Sequence, residues 1–142
     1  MNKICVILIT IGIIFLSKIA GASANVIIIG NPANKNTLDE NQVTNIFLGK
    51  TREFPDGQIA KSIDQAEGSK ARLEFYEKVI KKDETALKTY WSTLIFTGKA
   101  SPPNALADDA AVKKFVAATP NAIGYIDSKS LDSSVKALLI SK

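Results

Sequence analysis

The chain has 142 residues, 18 Lys plus Arg against 14 Asp plus Glu, a net charge of +4, one Cys and no His. That length suits one domain. The absence of His excludes His-based triads and His-ligated zinc, and a single Cys cannot build a disulfide framework or a CxxC centre. The mild positive charge falls short of the dense basic footprint of a nucleic-acid binder.

The N-terminus has the layout of a secretory signal. Lys3 supplies a positive start, Ile4 to Leu16 is an almost unbroken apolar run, and Ala22, Ser23 and Ala24 form a small-x-small cleavage pattern. The run is shorter than the roughly 20 apolar residues that a spanning helix needs, and Lys18 interrupts it, which favours cleavage over anchoring. Cleavage after Ala24 leaves residues 25–142, 118 of the 142, as one exported, periplasmic domain. Lys3 and Lys18 leave with the signal and no acidic residue does, so the net charge falls from +4 to +2, and the sole Cys and sole Met leave too. Core packing alone would then stabilise the domain in an oxidising compartment.

Along the mature chain, strands alternate with helices. Val26 to Ile29 is a β-branched run ended by Gly30, Asn31 and Pro32, as in a buried strand followed by a turn. Asp39 and Gln42 have capping-box spacing, Leu38 and Val43 can staple the helix start, and Val43, Ile46 and Phe47 recur at helical spacing up to Gly49. Phe54 to Gly57 reads as a turn, and Gln58 to Ile63 as a second strand. A second helix is expected over 69–82, with Leu73, Tyr76 and Ile80 on its apolar stripe, Phe75 and Val79 beside them, and the pairs Glu74–Lys78 and Glu77–Lys81 on its wet side.

Asp83 can cap a third helix, ending at Gly98, whose buried face is Leu87, Tyr90, Trp91 and Leu94. Ser101 to Pro103 is a loop, and Asp108 caps a fourth helix through Val112, Phe115 and Val116 that Pro120 closes. Ala122 to Ile126 and Val135 to Ile140 read as strands, and Gly124 suits a close backbone approach. Strands separated by helices argue an α/β fold around a small, mixed, mostly parallel sheet flanked by about four helices.

Six segments, in order, carry a family resemblance: "NVIIIGNP", "LDENQVTNIFLGK", "FPDGQI", "GSKARLEFY", "YWSTLIFTGKASPP" and "TPNAIGYID". Together they span nearly the whole mature chain, which resembles the phosphate-type substrate-binding proteins of ABC transporters. The resemblance implies a periplasmic-binding-protein-like fold. Full-length members have two α/β lobes that close on an anion, and a domain of about 100 to 150 residues has room for one. The resemblance also implies an anion-holding segment of the type Arg-x-Asp-Gly-Ser-Gly-Thr at a helix start. Here the matching stretch is Gln65 to Ala71, in which Gly68 and Ser69 are identical, Glu67 keeps the carboxylate, and the Arg, second Gly and Thr are replaced.

A helix beginning near Ser69 would offer unpaired N–H groups, the positive end of its dipole and a hydroxyl to an anion. Lys70 and Arg72 would add charge, Arg72 with a two-pronged grip. The alternative is that Ser69 only caps the helix and both cations are solvated. Asn31 and Asn34 follow the first strand, where ligands of open α/β sheets sit, or else serve as turn residues. Gly68, Ser69, Lys70, Arg72 and Asn31 are the candidate ligand-binding set. Trp91 and Tyr90 read as core side chains that could also line a cleft.

Enzyme-like patterns fail on spacing. Gly49-Lys50-Thr51 lacks the earlier P-loop glycine and follows a helix, Ser133 and Lys136 lack the partner motifs of penicillin-recognising enzymes, and adjacent Asp108 and Asp109 point to different helix sides. No enzyme, cofactor or metal centre is expected. Two functions remain: a solute-binding module taking a small anion such as phosphate, with a transporter permease as partner, or an interaction or sensory scaffold in the envelope that has lost anion binding. A homodimer would rebuild a cleft from two single lobes.

Overall fold

The computed structural model describes residues 25–140, so the expected signal at 1–24 lies outside the described residues. One sheet holds β1 (Val26–Gly30), β2 (Lys61–Gln65), β3 (Asn104–Leu106), β4 (Ala122–Asp127) and β5 (Lys136–Ile140), in the order β3-β2-β4-β1-β5. β2 runs parallel to β3 and β4, whereas β1 is antiparallel to β4 and β5. Four strands therefore share one direction and β1 alone opposes them, a mixed, mostly parallel sheet as expected.

Helices cover both faces. The side chains of Val26 and Ile28 point to one face, packed by α1 (Glu40–Phe47), α2 (Lys70–Phe75) and α3 (Glu84–Phe96). Ile27 and Ile29 point to the other, packed by α4 (Asp109–Ala118). Burial on both sides explains why β1 is apolar at every position before its glycine instead of alternating. β4 divides the same way, with Ile123 and Tyr125 toward the three helices and Ala122 and Ile126 toward α4. At Gly124 a Cβ would lie 2.7 Å from Val112 Cγ1, so α4 packs directly on the strand backbone there, the close approach expected of that glycine.

The helix starts are where the sequence places them. Asp39 and Gln42 form both halves of a capping box, at 2.8 and 2.9 Å, and Leu38 and Val43 are buried beside it. Ser69, Asp83 and Asp108 each accept from the backbone N–H three residues on. Such caps satisfy an otherwise orphaned donor and stabilise by about 1 kcal/mol each.

Several expectations need correction. The second strand lies at 61–65, not 58–63, because residues 54–58 close a tight turn through Phe54 N–H to Gln58 C=O at 2.8 Å. The second helix changes at Tyr76 to a π turn (Tyr76–Ile80) and ends at Lys81 in left-handed backbone, φ 59°. Leu73 is 50% exposed, since the buried face runs through Ala71, Arg72, Phe75, Tyr76, Val79 and Ile80 and position 73 points away from it. Glu74 and Lys78 pair at 2.7 Å with Glu74 largely covered, while no Glu77–Lys81 pair is present among the described residues, as the π turn shifts their register. The expected loop at 101–103 is present, and β3 follows it where no element is expected, a three-residue edge strand too short to leave a pattern.

Candidate functional site

Because β2, β3 and β4 are parallel, their carboxyl ends lie together, and α2 and α4 start just beyond them. Gln65 at the end of β2, Asp127 at the end of β4 and Ala107 past β3 surround a hollow of about 440 Å3 with the first residues of both helices. Carboxyl ends of strands in an open α/β sheet are where such folds place ligands. Lys70 and Ala71 open α2, and Asp109 and Ala110 open α4; the N–H groups of a helix's first turn have no acceptor within the helix. Both helix dipoles therefore present their positive ends to one hollow.

Side chains tune that field. Exposed Lys70 adds a positive charge on the α2 side, while Asp108, Asp109 and Asp127 bring three carboxylates to the lining. Asp109 is already held: it accepts from Gln65 Nε2 at 2.7 Å, Ser130 Oγ at 2.7 Å and Asp127 N–H at 3.1 Å. Ser69 is held as well, accepting from Arg72 N–H at 3.1 Å and donating to Gln65 Oε1 at 3.2 Å. Gly68, at φ +82°, turns the chain from β2 into α2 with open space around it, a conformation that strains any L side chain.

Arg72 belongs to a different cluster. Its side chain is buried; Nη1 donates to Asp64 Oδ2 at 2.9 Å and to the Gln65 carbonyl at 3.0 Å, and Nε donates to Glu84 at 3.1 Å. Its guanidinium lies 4.9 Å from the Tyr76 ring centre. Buried Asp64 also accepts from Tyr76 Oη at 2.6 Å and from Tyr125 Oη, which itself accepts Gln65 N–H. Burial alone would pull the Arg72 pKa down, but the hydrogen bond to Glu84 and the charge of Asp64 outweigh it and raise it. Burial first, and Asp64 second, push both tyrosines well above the ordinary phenol range, so they stay protonated donors. The reading of Arg72 as a solvated cation is thus overturned, and its donors face Asp64, Gln65 and Glu84.

Asn31 is not brought together with the others. Because β1 runs against β4, Gly30 pairs with Ile123 near the start of β4 while Val26 pairs with Asp127 at its end. Asn31 therefore follows β1 at the end of the strands opposite the hollow. There its amide donates to the carbonyls of Val116 and Ala117, at 3.0 Å each, capping the end of α4, and its oxygen accepts Ala33 N–H. Asn34 holds Asn36 in the same loop. Sequence reasoning missed Gln65, Asp109, Asp127 and Ser130 as neighbours of the hollow; only the parallel pairing of β2 and β4 joins them. Tyr90 and Trp91 pack as expected, the Tyr90 hydroxyl donating to the Leu48 carbonyl at 2.6 Å and the rings meeting edge to face at 5.1 Å.

The chain forms an open α/β sheet with helices on both faces and a hollow over the ends of its parallel strands. Solved structures share this fold. An ABC-type phosphate transport receptor from Vibrio cholerae matches with a TM-score of 0.65 at 21% identity, over 80% of this chain and 45% of its own. A putative phosphate ABC transporter substrate-binding protein from Clostridium perfringens, with bound phosphate, matches at 0.61 and 24% identity, over 80% and 44%. PstS from Borrelia burgdorferi matches at 0.59 and 17% identity, over 80% and 46%. This chain thus spans less than half the length of these neighbours. No family model matches the sequence, and no curated protein matches it. The resemblance carried by the sequence segments extends to the backbone: the fold is that of phosphate-type substrate-binding proteins.

Proposed function

We propose that this chain is a solute-binding module, exported by the signal at its N-terminus, that holds a small oxyanion such as phosphate for an ABC-type transporter. The observation that carries this reading is the backbone match to a phosphate transport receptor and to a putative phosphate transporter substrate-binding protein with bound phosphate, at TM-scores of 0.65 and 0.61. The hollow between α2 and α4 is the ligand site. Lys70 and the first N–H groups of the two helices bind the anion, and Gly68 and Ser69 hold the turn that aims α2 at it. Arg72 and Asn31 serve the fold, Arg72 by fixing Asp64 and Glu84, and Asn31 by closing α4. With three carboxylates in the lining, the lobe alone binds in the millimolar range, roughly −4 kcal/mol, and a second body closing over the hollow supplies the rest. Isothermal titration of residues 25–142 with phosphate tests this. Saturable binding that weakens several-fold in Lys70→Ala supports the reading, and no heat at tens of millimolar phosphate refutes it.

A further inference from the structure

The two edges of the sheet differ. At β5 the loop after β1 closes over the strand: Leu38 N–H donates to the Leu138 carbonyl at 3.3 Å, and Lys136 Nζ donates to the Asn34 carbonyl at 3.1 Å. At β3 the strand is open, with Asn104 and Ala105 exposed. The Leu106 carbonyl accepts Ala66 N–H at 2.9 Å, so residue 106 turns its backbone to β2. Backbone groups alternate along a strand, so Ala105 turns its N–H and C=O outward, a ready template for another strand.

Both faces beside this edge are apolar. On the α3 face a groove of about 410 Å3 is lined by Trp91, Ile95, Pro102, Pro103 and Ala105. On the α4 face one of about 370 Å3 is lined by Leu106, Ala111, Phe115 and Ala118, with Lys114 beside them. Ile95 is 56% exposed, and Phe96 next to it is 92% exposed. Apolar surface on both faces of one open edge suits an added strand whose side chains alternate between the two grooves.

Charge selects the strand. Ile63 lies beside Asn104 and Gln65 beside Leu106, so Lys61 stands level with a point about three residues before Ala105, and Glu67 about three after it. Exposed Lys99 adds a cation before β3, and exposed Asp108 a carboxylate after it. The edge is thus positive at its start and negative at its end, so an antiparallel copy of itself sets each end against its opposite.

We propose that β3 pairs antiparallel with β3 of a second copy of this chain, Ala105 facing Ala105 across a two-fold axis, with Ile95 and Phe115 of each copy flanking the seam. The two alanines exchange both backbone bonds, and each Ala107 N–H donates to the Pro103 carbonyl opposite, the proline serving as acceptor only. Such a dimer extends the sheet sideways instead of rebuilding a cleft over the strand ends. It does not depend on the anion reading.

Sedimentation equilibrium of residues 25–142 from about 5 μM to 1 mM, at low salt, tests the proposal. So short a ladder predicts a reversible dimer with a dissociation constant of roughly 10–100 μM. Ala105→Pro removes the outward N–H and leaves the ladder to β2 intact, and should weaken the dimer at least about tenfold. Ile95→Lys, at an exposed position that leaves the fold intact, should weaken it similarly. Lys61→Glu or Glu67→Lys alone should weaken it several-fold, and the two together should restore it. Leu73→Lys, exposed on α2 outside both grooves, should change nothing. The proposal is overturned by a strict monomer at 1 mM, by full-strength dimer in Ala105→Pro or in Ile95→Lys, by no recovery in the charge swap, or by equal loss in Leu73→Lys.

Discussion

Lys70 and Arg72 are two residues apart, yet they stand in polar regions of opposite character. Two positions on a helix are separated by about 200°, so Lys70 turns to the hollow at the strand ends and Arg72 turns inward. The inward cluster is closed: Asp64 receives Arg72, Tyr76, Tyr125 and its neighbour's N–H, and the phenols are fixed as donors. The hollow is open: helix N-termini, an ammonium and three carboxylates face the same space. A cation's place in a binding motif therefore says less than the partners that the fold gives it. Arg72, with the grip best suited to an anion, is the one spent on structure.

Breaking the closed cluster should have the largest effect. Arg72→Leu leaves Asp64 buried without its cation and should cost about 3–5 kcal/mol in denaturant unfolding. A loss below about 1 kcal/mol would mean that the cluster is as loosely held as the hollow.

Tyr125→Phe comes next. It removes one donor to Asp64 and one of the two acceptors of Gln65 N–H, and should cost about 1–3 kcal/mol. It should also change the response to alkali. A phenol whose pKa is raised by folding keeps its proton while the unfolded chain loses it, so its stabilisation is complete below the ordinary value of 10.0 and declines as pH rises above it. Each such tyrosine contributes a fall of up to about 1.4 kcal/mol per pH unit there. Stability measured at pH 8 to 11 should therefore fall less steeply in Tyr125→Phe than in the parent, with the lysines common to both.

Changes in the open region should do the reverse, moving ligand affinity and leaving stability alone. Lys70→Ala should shift stability by no more than about 0.5 kcal/mol while weakening phosphate several-fold. The smallest effect belongs to Asp108→Asn, which preserves the N-cap of α4 and removes one negative charge. Phosphate affinity should rise about two- to threefold at low salt, and the gain should shrink as salt screens it. Unchanged affinity in both variants would place the anion elsewhere.

The sequence was most informative where the physics is local. Asp39, Ser69, Asp83 and Asp108 act within three residues of themselves, so their capping roles are legible from spacing. What depends on distant pairing was not. Asp64 and Gln65 look too polar for a buried strand end until Tyr125, some 60 residues on, supplies its hydroxyl and carbonyl. Asn31 follows a strand as a ligand-binding residue should, but the direction of β1 is set by its antiparallel pairing with β4, which nothing in the residues of β1 encodes. That pairing moves Asn31 away from the Ser69 turn, whose neighbour is instead Asp127, brought there by the parallel pairing of β2 with β4.

The central claim is that the anion meets the protein where α2 and α4 begin. Amide NMR of residues 25–142 during phosphate titration tests it directly. Saturable shifts of the Lys70, Ala71 and Ala110 amides, with Asn31 and Asn34 unmoved, are the predicted result. Shifts centred on Asn31 and Asn34, or none saturating at the α2 start, would contradict it.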